Sequence, residues 1–120
     1  MISVAIDFDG TLVEDRFPEI GEPKLSMIAA VKELQRIGAR TILWTCRNGD
    51  SLTAAVEWCK KQDLHFDAVN ENLPEVKEKW GGDTRKVLVD VYVDDKSLGC
   101  LITPNLWEVI NSLKEENSGV

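Results

Sequence analysis

Apolar and polar positions along the chain alternate between two periods, and each switch marks an element. The opening run Ile2-Ser3-Val4-Ala5-Ile6 has the length and composition of a buried strand. A polar, Pro-containing stretch from Glu14 to Glu22 follows, suited to a short hairpin or loop. Leu25, Ile28, Val31 and Leu34 then recur at helical spacing, with Gly38 as the stop. Thr41 to Trp44 is a second apolar run. Leu52, Ala55, Val56 and Cys59 predict a second helix, begun by Asp50 or Ser51. Phe66 to Val69 predicts a third strand. Pro74 opens a short helix toward Trp80, which Gly81-Gly82 ends. Val91-Tyr92-Val93 predicts a fourth strand, and Leu101-Ile102 a short fifth. Thr103 then caps a last helix, with Pro104 in its first turn and Leu106, Ile110 and Leu113 on its inner face. The tail from Glu115 onward is expected to fray.

Strand–helix alternation of this kind implies a parallel sheet covered on both faces. The expectation is one α/β domain over residues 1–120, a three-layer Rossmann-like sandwich. Its strands end in polar residues: Asp7 and Asp9, then Thr45 with Arg47 and Asn48, then Asn70-Glu71-Asn72, then Asp94-Asp95. Ligands of open α/β sheets bind beyond the carboxyl ends of the strands, at the switch in strand order. All four polar groups are therefore expected at one edge.

Asp7 and Asp9 carry the sharpest chemistry. Side chains at i and i+2 of a strand point the same way, so the two acids share a face, and Gly10 allows a tight turn directly after them. Paired carboxylates at the end of a buried strand repel and cost desolvation energy unless a cation lies between them. The bland alternative is a core strand ending in an Asp-Gly turn.

The string Asp7-Phe8-Asp9-Gly10-Thr11-Leu12 after an apolar strand resembles the nucleophile motif of the haloacid dehalogenase superfamily, mostly phosphatases. The likeness extends to Ile-Leu-Trp-Thr45, to basic residues between Lys77 and Lys86, and to Val-Tyr-Val-Asp94-Asp95, in the superfamily's order. The resemblance implies that Asp7 is the nucleophile and Asp9 the general acid and base of phosphomonoester hydrolysis. It places Mg2+ among Asp7, Asp9 (through its backbone carbonyl), Asp94 and Asp95, and a phosphoryl oxygen on the Thr45 hydroxyl. Similarity to small capless members, whose lysine stands eight residues before the acidic pair, favours Lys86 as the phosphate-binding lysine. Eight extended residues cover roughly 26 Å, so Lys86 serves only if the chain bends back; Lys77 needs no such bend and remains the alternative. Arg47 and Asn48 are candidate substrate contacts, with a surface ion pair as the plainer role for Arg47.

About a dozen residues separate Thr11 from the first helix, enough for a flap but not a cap domain. An open site suits a bulky substrate, either a phosphorylated small molecule or a phosphoprotein, or closure by a second subunit in a homo-oligomer. Two other readings compete: a receiver-like phospho-accepting module, and a degenerate domain that binds phosphate without turnover. Receivers carry their acidic pair after the first strand, the reverse of the order here.

Composition narrows the partners. Twenty-one acids against 14 bases give a net charge of −7, which argues against nucleic acid and anionic membranes. No apolar run is long enough to span a bilayer. Cys46, Cys59 and Cys100 form no metal-like spacing, so free thiols and a cytoplasmic location are expected. Trp44, Trp58 and Trp107 are expected in the core, Trp80 less so, and lone His65 is given no catalytic role.

Overall fold

A computed structural model describes residues 2–98 and 102–118. The strands β1 (Ser3–Ile6), β2 (Arg40–Leu43), β3 (Ala68–Val69) and β4 (Val91–Val93) form one sheet in the order β3-β2-β1-β4, every pair parallel. The helices are α1 (Leu25–Arg36), α2 (Gly49–Lys61), α3 (Pro74–Trp80) and α4 (Ile102–Ser118). The chain leaves β1 to build β2 and β3 on one side, then returns to lay β4 on the other. The switch in strand order thus falls between β1 and β4.

Strand alternation divides the core into two layers. Val4, Ile6, Leu43 and Val93 face one way and pack with Met27, Ile28, Val31 and Leu34 of α1, Ala55 and Cys59 of α2, and Leu106 and Ile110 of α4. Ala5, Ile42 and Ala68 face the other way, toward Leu73, Val76, Val87 and Val89. Among the described residues, the second face is covered by α3 and the segment before β4. This is the expected three-layer α/β sandwich, and no cap domain is present among the described residues.

The helices follow from their apolar spacing, with local differences. Leu25 begins α1 but is 74% exposed, because Met27 and Ala30 complete the buried stripe in its place. Residue 49 in a left-handed conformation starts α2 one residue earlier than expected, and no side chain caps it. Gly81, at φ 70°, ends α3 as expected. β3 is only two residues long; Asp67 before it holds Arg40 and the Thr41 N–H through its carboxylate and donates its own N–H to Thr41 O.

The C-terminal expectations are corrected. Ile102 opens α4 instead of closing a fifth strand, and Thr103 lies inside that helix instead of capping it. The helical register that buries Leu106 and Ile110 extends upstream of the expected start and downstream through Ser118, into the stretch expected to fray. Leu101 and Cys100 lie outside the described residues.

No described helix is long and apolar enough to cross a membrane. Trp58 packs edge-on against Phe8 at 5.6 Å, while Trp44 and Trp107 are partly buried against the core. Cys59 is a buried free thiol, pushed up to about 12 by burial, and Cys46 is an exposed one. His65 is exposed and pairs with Asp63.

Candidate metal and phosphate site

Parallel pairing brings the strand ends together. Asp7 N–H donates to Val93 O, Trp44 N–H to Ile6 O, and Asn70 N–H to Leu43 O, so Asp7, Thr45, Asn70 and Asp94 all emerge at the carboxyl edge. Asp7 and Asp94 sit at the β1/β4 switch, where an α/β sheet opens a crevice.

Carboxylate oxygens of Asp7, Asp94 and Asp95 lie within 4.8 Å of one another. Each acid is only half-buried, and burial and the neighbouring charges act on Asp7 in the same direction. Burial, the charge of Asp94 and a hydrogen bond with Asp95 push the Asp7 carboxyl from its ordinary 3.8 up to about 7. Three clustered carboxylates, one of them driven toward protonation, form an oxygen donor set of the kind that hard divalent cations occupy. Lys96 is the cation beside them, its ammonium 3.7 Å from Asp95 and its backbone N–H bonded to Asp94.

Residues between the acids hold this geometry. The buried Thr11 hydroxyl lies 3.2 Å from Asp7 Oδ2 and 3.4 Å from Asp95 Oδ1, and it accepts the Asp95 N–H at 3.1 Å. Gly10 adopts φ +87°, and a Cβ there would fall 2.4 Å from Asp95 Oδ2. Glycine is thus required twice over, by backbone conformation and by the close approach of Asp95.

Asp9 turns away from this group. Its two oxygens accept bonds from Arg47 Nε and Nη2, each at 2.8 Å. Arg47 is 2% exposed. It also donates to Pro18 O, Glu19 O and Ser51 O, and its guanidinium lies between the rings of Phe8 and Phe17 at 5.1 and 5.2 Å. Arg47 does not form the surface ion pair of the plainer expectation: it is a buried strut tying Asp9 to the flap of residues 14–22. The neck of the flap is closed by Glu14 N–H to Glu22 O, where Gly21 admits Glu14 O.

Thr45 is anchored by its N–H to Asn70 Oδ1, and its hydroxyl oxygen accepts the Arg47 N–H, leaving the hydroxyl proton to donate elsewhere. Asn70, at φ 53°, returns a bond to Arg47 O. Asn48 is exposed and precedes α2.

The two lysines are placed differently. Lys77 bonds Glu71 at 2.8 Å on α3. Lys86 is exposed, its ammonium 5.5 Å from the centre of the Tyr92 ring. The chain does bend back before β4: buried Asn72, just past β3, accepts Leu88 N–H and donates to Asp83 and Thr84. Asp90 then starts the return beside Ser3. Sequence reasoning gave no role to Thr11, Asn70 or Asn72. A buried Asn with several backbone partners has no local sequence signal.

A protein from Bacteroides thetaiotaomicron, described as a conserved protein coded by a locus of that organism, has a solved structure that matches this one with a TM-score of 0.79. The two are 37% identical, and the match covers 96% of this chain and 91% of the other. This chain belongs to that protein's family. Family membership carries the fold without naming a reaction. A crystal structure of a target protein from Vibrio cholerae matches with a TM-score of 0.55 and 20% identity over 98% of this chain and all of the other, which reflects the shared fold. No protein-family model and no curated protein matches the chain.

Proposed function

We propose that this protein is a Mg2+-dependent phosphomonoester hydrolase of the haloacid dehalogenase type. The observation that carries the reading is the grouping of Asp7, Asp94 and Asp95 at the β1/β4 switch, with Thr45 on the same edge. A divalent cation held by these carboxylates and the Asp9 carbonyl would neutralise phosphoryl oxygens.

In this scheme an Asp7 oxygen attacks phosphorus, the bond to the leaving oxygen breaks, and Asp9 supplies that oxygen's proton. Water then attacks phosphorus, its proton passes to Asp9, and the Asp7–phosphorus bond breaks. Thr45 donates its hydroxyl to the phosphoryl group, and Lys86 adds positive charge. Asp9 reaches the leaving oxygen only after its carboxylate parts from Arg47, so movement of the flap belongs to the cycle. Substrates are phosphorylated small molecules or phosphoproteins, and a second copy of the chain could close the open edge.

One observation favours a second reading, a domain that takes up phosphate without turnover. Both Asp9 oxygens are already filled by Arg47, which leaves no free acid for the leaving group. A receiver-like module finds less support, because receivers order their strands 2-1-3-4-5 whereas this sheet runs 3-2-1-4.

Acid quenching after mixing with p-nitrophenyl phosphate and Mg2+, followed by peptide mapping, separates these readings. A phosphoryl group on Asp7 that decays as free phosphate appears supports the hydrolase. The absence of both an adduct on Asp7 and released phosphate contradicts the hydrolase, and phosphate binding without either supports the second reading.

A further inference from the structure

The thinly covered face of the sheet holds an open groove of about 680 Å³, lined chiefly by Val76, Trp80, Val87, Leu88 and Tyr92 with Lys86 at its wall. Its walls are unusually apolar for a surface. Trp80 is 63% exposed, Leu88 53% and Tyr92 39%, in a protein with a net charge of −7.

Strand alternation connects this groove to the acids. Ala5 and Tyr92 are register partners, and Ala5 packs on the thinly covered face. Residues two further along each strand point the same way, and they are Asp7 and Asp94. The advance is only about 7 Å. The groove wall at Tyr92 thus stands two residues along the chain from Asp94 of the acidic cluster. Lys86, in the groove wall beside the Tyr92 ring, and Lys79, 5.3 Å from the Trp80 ring, place positive charge next to it.

We infer that this groove receives the leaving group of the substrate, and that this group is an aromatic alcohol esterified to phosphate. The inference rests on the hydrolase reading and deepens it. Flat ring faces from Trp80 and Tyr92 and the side chain of Leu88 match an aryl body, with the two ammonium groups complementing an anionic ester. A small polar alcohol would leave these surfaces uncovered and gain nothing from them.

Trp80→Ala and Leu88→Ala both alter exposed side chains, so folding is retained and is checked by circular dichroism. Steady-state kinetics with 2-naphthyl phosphate should show KM rising about tenfold in Trp80→Ala, with kcat within about twofold. Glycerol phosphate should keep its KM in both variants. Titration with 2-naphthol, monitored by NMR, should show binding to the wild type that weakens in both variants. Equal losses for both esters, unchanged KM for the naphthyl ester, or no naphthol binding to the wild type would overturn the inference. Absence of hydrolysis in the wild type would defeat the hydrolase reading instead, while naphthol binding that depends on Trp80 and Leu88 would still assign the groove to an aromatic ligand.

Discussion

Arg47 and Asp9, 38 residues apart in sequence, form a two-pronged ion pair with both N–O distances at 2.8 Å and the arginine side chain 1% exposed. Removing one member strands the other charge away from water. Arg47→Ala should therefore cost about 3–5 kcal/mol in urea unfolding. Arg47→Lys should recover little, because an ammonium cannot span both oxygens and the flap carbonyls of Pro18 and Glu19. A loss below about 1 kcal/mol would mean that the strut is not structural.

The contribution of Asp7 to stability without a bound cation falls as pH rises. Its carboxyl is raised from 3.8 to about 7, so between these values the native state holds a proton that the unfolded chain has released. This contribution to stability is present at low pH and is lost as pH rises through that window. In EDTA, Asp7→Asn should raise the melting temperature at pH 8, on the order of 5 °C, and do so far less at pH 4. Added Mg2+ should stabilise the wild type more at pH 8 than at pH 5. Thermal scans at the two pH values check both statements.

Gly10→Ala tests the geometry of the acidic cluster. The new methyl would displace the Asp95 carboxylate and occupy a strained φ of +87°. Stability should fall by about 1–3 kcal/mol, and Mg2+ affinity measured by calorimetry should weaken as Asp95 is moved. Unaltered affinity would remove Asp95 from the cation site.

The lysine assignment separates by mutation. Lys86→Ala should lower kcat/KM for p-nitrophenyl phosphate by about a hundredfold. Lys77→Ala should change it by less than about threefold, since that ammonium is engaged by Glu71. The reverse ranking would assign the role to Lys77.

What the sequence discloses is local. Helical spacing marked α1, α2 and α4, and the acids ending β1 and β4 marked the edge where they meet. Pairings between distant segments left no trace. The i, i+2 spacing puts Asp9 on one strand face with Asp7, yet β1 ends at Ile6 and Arg47 holds the Asp9 carboxylate aside. Buried Asn72 sets the bend that carries Lys86 alongside Tyr92, and nothing near Lys86 in sequence encodes it. Ile102 is apolar enough for a strand, yet it opens α4.

Hydrolysis of p-nitrophenyl phosphate by the wild type and by Asp7→Asn, each with Mg2+ and with EDTA, tests the central claim most directly. The account predicts turnover by the wild type in Mg2+ alone, and a fall of at least about a thousandfold when Asp7 becomes Asn. Comparable rates from the Asp7→Asn protein, or turnover indifferent to EDTA, would contradict it.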